Sequence, residues 1–301
     1  MDSSGFAATL LRASAEGFAG LAASRLMEGD PALAGPAGFE AWRAHLRSQL
    51  GALAAAVEDE APELFAAHVA WSRDAIAARE VPVAALGAAL VRLREVLEES
   101  LPNSAWAPLP AYFQRARDEL ARRSAPQPSE LPGTEAHGQL ALDYVTALVA
   151  GDERRAVALV LDALDAGRLS IRDALAAVLV PAQREIGRQW HQGVIGVAEE
   201  HFGSIVTRKA LARVLALAPE VEPNGRTVVV ASVAQDAHDL GVQVVAAFFE
   251  LDGWRSICLG ADTPSEDLVQ LVVRFEADLV ALGATLDGQR ESTARTIEAL
   301  R

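Results

Sequence analysis

Cysteine is almost missing from this sequence: Cys258 is the only one in 301 residues. A single thiol excludes a disulfide framework and a thiolate metal cluster. Its place between Ile257 and Leu259 predicts a packed, inert thiol rather than a redox centre. Aromatic residues make up only 5% of the chain, so alanine and leucine must build the cores, and both favour helices. Positive charge is in the minority, with 27 Lys and Arg against 41 Asp and Glu, a net charge of −14. That balance argues against direct DNA binding, which needs clustered cations. No apolar run is long enough to span a membrane, and the start lacks the basic-then-apolar pattern of a signal segment. The absences together predict a cytoplasmic protein without membrane contact.

What is present is a hydrophobic content of 51%, enough for two or three domains, each with a core. Residues 1–125 read as an all-helical domain. Phe6 to Met27 is apolar at helical spacing and ends at Gly29-Asp30-Pro31. Phe39 to Val57 places Trp42, Leu46, Leu50 and Leu53 on one face. Pro62 and Pro82 open a third and a fourth helix, where a missing N–H costs nothing. A fifth runs from about Leu109 to Arg123. His45 and His68 are read as packed or surface histidines. Residues 126–134, rich in proline and polar side chains, read as a linker. Residues 135–220 read as a four-helix bundle with helices near 135–150, 152–166, 170–190 and 197–217. Asp152 and Ser170 are N-cap candidates, and Gly151, Gly167, Gly193 and Gly196 mark the breaks.

The most informative stretch runs from Thr227 to Asp262. Thr227 to Val233 is a buried-strand run. Asp236, His238 and Gly241 follow as Asp-x-His-x-x-Gly, then an apolar helix, Gly253 and a second strand from Trp254 to Leu259. This is a β-loop-α-β unit with a histidine at the carboxyl end of its first strand, where open α/β sheets bind ligands. A neutral imidazole ligates transition metals. A carboxylate two residues away can take the other ring N–H and fix the tautomer. Gly241 removes a side chain where a large planar ligand would approach. The plainer reading of His238 alone is a loop residue capping a helix.

With Leu259-Gly260-Ala261-Asp262-Thr263-Pro264 included, the segment resembles the cobalamin-binding domain shared by methionine synthase, corrinoid methyltransferase proteins, mutases and cobalamin photoreceptors. The resemblance implies that His238 is the lower axial ligand of cobalt, with Asp236 behind it. A second constellation lies upstream: Trp190-His191, Val197 and Glu200-His201. Alone it reads equally well as bundle packing with a solvated pair. Its spacing resembles the helical cap of the light-dependent, adenosylcobalamin-binding transcriptional repressors of carotenoid genes. That resemblance implies that Trp190, Val197, Glu200 and His201 cover the upper face of the corrin. It makes His191 the upper cobalt ligand after light breaks the cobalt–carbon bond.

The sequence departs from that family in three places. No winged-helix DNA-binding segment is visible. Gly283 and Thr285 stand where the family has Ser-x-Leu beside the nucleotide tail, a smaller residue still admitting the tail. The chain stops inside the third helix of the α/β domain, so residues 224–301 read as a C-terminally shortened domain without the family's fourth and fifth strands. The expectation is a multidomain α and α/β protein: a helical domain, a four-helix cap and a shortened Rossmann- or flavodoxin-like parallel-sheet domain. The implied function is a non-enzymatic light sensor using adenosylcobalamin, with methylcobalamin or hydroxocobalamin as other forms. Its output would pass through a homo-oligomer or a partner protein of the helical domain. Two alternatives stay open: a corrinoid carrier for methyl transfer, and a cofactor-free interaction module.

Overall fold

The computed structural model describes residues 3–29, 38–122, 128–129, 131, 136–286 and 289–301. Most of the expected 126–134 linker and the expected break at Asp30-Pro31 lie outside them. The chain divides into two units, Met1–Pro126 and Gln127–Arg301.

The first unit is helical: α1 Ser3–Ala13, α2 Ala15–Gly29, α3 Gly38–Glu58, α4 Pro62–Ala77, α5 Val83–Ser100, α6 Asn103–Trp106 and α7 Leu109–Leu120. Its core is the leucine-alanine face that the spacing predicts, with Leu46, Leu50, Leu53, Leu86, Leu93 and Leu97 fully enclosed. Two details differ from the pattern. The single helix expected over Phe6 to Met27 is two helices meeting at Ser14. Ser14 N–H still donates to Leu10 O, and Phe18 N–H to Ser14 O, so the joint leaves no break in the apolar spacing. The short α6 follows Pro102, whose ring favours a helix start. Arg73, almost fully buried, donates from Nη1 to the carbonyls of Glu119 (3.0 Å) and Arg122 (2.9 Å) and so ties α4 to the end of α7.

The second unit begins with helices α8 Ala136–Val149 and α9 Glu153–Asp165. A long interrupted helix follows: α10 Ile171–Asp173, a π-helical turn Ala174–Leu179, and α11 Val180–His191. Then comes α12 Val197–Leu215. Asp152 and Ser170 cap their helices, accepting from Arg155 N–H and Asp173 N–H. The π turn has a local cause. Pro181 has no N–H to give to the carbonyl four residues back and clashes with it, and Val180 N–H reaches Leu175 O, five residues back.

Three parallel strands complete the unit, β1 Thr227–Val233, β2 Arg255–Thr263 and β3 Leu279–Gly283, in the order β2-β1-β3. Central β1 is buried from Val228 onward, as its unbroken apolar run requires. Helix α13, Leu240–Leu251, covers one face, where Val242 and Ala246 meet Val228 and Val230. Helices α14, Ser265–Arg274, and α15, Arg290–Leu300, cover the other, where Leu268 and Leu271 meet Val229 and Ala231. The opposite side of α13 enters the core of the helical bundle through Val244 and Ala247. Helix α13 is therefore apolar nearly all round because it is enclosed from both sides. Arg172 reinforces the junction, donating to Leu251 O at 3.2 Å and lying 5.6 Å from the Phe248 ring.

Cys258 corrects one expectation. It is exposed, not packed: β2 is an edge strand of this sheet, and the side chains enclosed from it are Ile257 and Leu259 on the other face. Burial of its surroundings still pushes its thiol pKa up, which keeps it a poor nucleophile.

Candidate functional site

The loop after β1 places its side chains through two strained residues. Gln235 has φ +70 and Asp262, at the end of β2, has φ +49. Both lie in the left-handed region that side chains rarely adopt. Gln235 N–H donates to Asp262 Oδ1 at 2.6 Å, and Asp262 N–H to Asp236 O at 2.9 Å. The cross-strand pair pins the loop where Asp236 turns inward.

Asp236 is fully buried. It accepts from His238 N–H at 3.0 Å and from Thr285 N–H at 2.9 Å, and it pairs with His238 Nδ1 at 2.8 Å. Burial opposes its ionisation, but the hydrogen bonds from His238 and Thr285 outweigh it and hold the carboxyl below the usual range. An ionised Asp236 takes the proton of Nδ1, which leaves Nε2 as the lone-pair nitrogen. The His238 side chain is 58% exposed, so that nitrogen sits on an open ring. An open imidazole with a buried carboxylate behind it is a donor suited to a transition metal.

A cleft of about 270 Å³ adjoins the ring, and Ser232, His238, Gly241, Val242, Gly283 and Thr285 contribute to its wall. A Cβ on Gly241 would meet nothing within 4 Å, so this glycine faces open space. Gly283 is the opposite case. A Cβ there would stand 2.4 Å from Val242 Cγ1, so the smaller residue leaves no added room: Val242 has taken it. The hydroxyl beside this position belongs to Ser232, whose Oγ donates to His238 O at 2.7 Å.

The second constellation lies on adjoining ends of α11 and α12. Trp190 is half-buried against the bundle core, and His191 is buried. Val197, the first residue of α12, is exposed. Glu200 accepts from Ser204 Oγ at 2.9 Å and lies 3.6 Å from Nε2 of the exposed His201. Glu199 caps α12 by accepting from Gly196 N–H at 3.0 Å. The structure thus gathers His238, Gly241, Gly283 and Thr285 around one cleft, with Asp236 buried behind His238. Trp190, His191, Val197, Glu200 and His201 form a separate group that does not line it. Sequence reasoning missed Ser232, the one hydroxyl after Thr227 in an otherwise apolar strand, and that polarity was its signal. It also missed Gln289, whose Oε1 accepts from Thr285 N–H at 2.7 Å and Leu286 N–H at 2.8 Å.

Residues 226–301 match the family described as B12 binding domain, and residues 140–215 match a second family of the same description. The second unit belongs to the B12-binding domain family. Within the B12-binding unit, the first match begins one residue before β1, and the second spans most of α8 through α12. The chain is 27% identical over 215 residues to the HTH-type transcriptional repressor CarH of Myxococcus xanthus, covering 71% of this chain and 69% of that protein. It is 34% identical over 121 residues to the repressor CarA of the same organism, 40% of each chain. It therefore spans well under half the length of the second repressor. A corrinoid protein of Desulfitobacterium hafniense (strain Y51) is 26% identical over 162 residues, 52% of this chain and 73% of that one. Among solved structures, the monomethylamine corrinoid protein of Methanosarcina barkeri aligns at 18% identity and a TM-score of 0.45, over 54% of this chain and 79% of that one. The chain's own residues fit a B12 group: an oriented imidazole, a glycine facing open space and an adjoining cleft.

Proposed function

We propose that this chain is a cobalamin-dependent light sensor in which His238 ligates cobalt from below and the α11–α12 group covers the upper face. The observation that carries the cobalt assignment is the His238 ring, its Nδ1 held by buried Asp236 and more than half its side chain open. When bound, the cofactor supplies an organocobalt bond, light-labile in the adenosyl form and methyl-donating in the methyl form. The rest belongs to the chain. Asp236 keeps the proton on Nδ1 and fixes the ring. Gly241 leaves room for the corrin, and Gly283, Thr285 and Ser232 border the cleft beside it. Trp190 offers a flat indole for stacking, Val197 adds an apolar contact, and Glu200 with His201 supplies hydrogen bonds. His191, buried behind Trp190, is the imidazole that a shift of α11 would bring to the upper face. The light reading draws on the resemblance of the Trp190-His191, Val197 and Glu200-His201 spacing to the cap of the light-dependent repressors. Output then passes through the helices of the first unit, to a second copy or a partner protein, in the cytoplasm and without substrate turnover.

The test is an absorption spectrum of the full chain loaded with adenosylcobalamin in the dark, desalted, and recorded before and after green light. A lasting change that His191→Ala alters without affecting dark binding is the expected result. Dark binding with no specific light response would overturn the sensor reading. It would favour a methyl carrier, a reading supported by the corrinoid relative that is similar over 162 residues. Loss of all cobalamin on desalting would overturn both and leave a cofactor-free module.

A further inference from the structure

His238 is restrained from several directions, and nearly all the restraints come from β1 and its loop. Asp236 holds the ring and the backbone N–H, and Ser232 holds the carbonyl. The restraint on the following residue has another origin. Arg208, in the middle of α12, donates from Nη2 to Asp239 Oδ1 at 2.6 Å, while Gln243 Nε2 occupies Asp239 Oδ2 at 2.8 Å. Both carboxylate oxygens of Asp239 are thus engaged, one from its own helix α13 and one from the helical bundle.

The helix that supplies Arg208 also carries Glu200 and His201 near its start. Eight residues separate Glu200 from Arg208 in the chain, and at the helical rise they stand about 12 Å apart along the axis. Between them α12 is anchored on its inner side. Gln183 Nε2 donates to Thr207 Oγ1 at 2.7 Å, and Thr207 meets the buried Tyr144 hydroxyl at 3.0 Å. Ser204 Oγ reaches both Glu200 (2.9 Å) and Gln183 (3.2 Å). A helix braced this way tilts or slides as a rod, so a displacement at Glu200 arrives at Arg208.

We propose that Arg208 is a positioning residue for His238, coupling the pose of α12 to the orientation of the imidazole through Asp239. This rests on the reading of His238 as the lower cobalt ligand. The ion pair is half-buried, so salt weakens it without abolishing it. Asp239 stands outside the direct carboxylate–histidine pair, so the effect belongs at or below the low end of outer-shell effects on metal affinity, about 3- to 10-fold.

The experiment uses the full chain grown with nitrogen-15 histidine and loaded in the dark with cob(II)alamin. Electron paramagnetic resonance then reports a coordinated histidine nitrogen as a change of splitting from triplet to doublet. Arg208→Ala and Asp239→Asn should each reduce the histidine-coordinated fraction and raise the cobalamin Kd by about 3- to 10-fold. Arg208→Lys should restore most of both, and 0.5 M salt should move the wild type toward Arg208→Ala. If Arg208→Ala only lowers the unfolding temperature, with the coordinated fraction of bound cobalt unchanged, Arg208 is structural and the proposal fails. If the wild type shows no nitrogen-15 dependence, the ligand reading itself fails. If His238→Ala abolishes the dependence while Arg208→Ala and Asp239→Asn leave it intact, the positioning role alone is refuted.

Discussion

The two units use histidine in opposite ways. In the first, Gln49 Nε2 donates to His45 Nε2 at 3.2 Å and to Ser72 Oγ at 2.8 Å, so the ring is held by an amide that is itself buried. Burial, and then the nearby His68, push the His45 imidazole down to about 4. Trp42 meets the same ring edge-on at 5.6 Å. In the second unit, His238 has a buried carboxylate on one nitrogen and solvent around the rest of its ring. Enclosure without a counter-charge keeps an imidazole neutral and makes it packing material. One nitrogen committed to an anion and the ring left open suits it to ligate a metal.

The sharpest way to break this contrast is to remove each ring. His238→Ala should weaken cobalamin binding by more than about 100-fold, beyond the range for outer-shell groups, in equilibrium dialysis in the dark. His45→Leu should leave binding within about twofold of the wild type; equal losses would erase the distinction. Next in size is Asp236→Asn, which keeps the shape but removes the anion behind His238. A loss of about 10- to 100-fold in affinity is expected from the same dialysis.

Acidity tests the other half of the comparison. The folded-state value for His45 lies below the ordinary imidazole value of 6.5, so the unfolded chain binds the extra proton. The first unit is therefore fully stable above about pH 6.5 and loses stability as pH falls toward 4, by roughly 1.4 kcal/mol at pH 5.5. Urea unfolding read from Trp42, Trp71 and Trp106, with Trp190 and Trp254 replaced by Phe, measures it. His45→Gln should flatten that slope. The smallest effect belongs to Gly241→Ala. A side chain there meets open space and lies within α13, so the cofactor-free protein should gain up to about 1 kcal/mol of helix stability. Cobalamin affinity should fall in the same variant. A thermal melt paired with dialysis would show the opposite signs.

Local chemistry made much of this fold legible. The run Val228 to Val233 could only be an enclosed strand, and glycines at 151, 167, 193 and 196 separated the helices of the bundle. The Asp-x-His spacing sufficed to predict a carboxylate behind an imidazole. What stayed hidden depends on distance in the chain. Arg208 and Asp239 are 31 residues apart, and no pattern in either segment names the other. The close approach of Val242 to Gly283 was equally hidden, because the two lie 41 positions apart in the sequence. Cys258 read as packed because its apolar neighbours do not reveal which face of an edge strand is covered.

The wide turn at Ala174–Leu179 sets the phase of everything after it. A π turn takes about one residue more than an α turn, so the rest of the helix is rotated by about 100° from where an unbroken helix would carry it. Trp190 and His191, neighbours on that helix, divide the two sides between them, one half-open and one enclosed. Relaxing the turn to regular α geometry would advance the helix by one position. It would carry Trp190 toward the enclosed place that His191 now holds, and it would turn the buried Ala182, Glu185 and Ile186 away from the bundle core as well. Pro181, two residues past the turn, cannot make the hydrogen bond that regular geometry requires and so holds the helix at this phase.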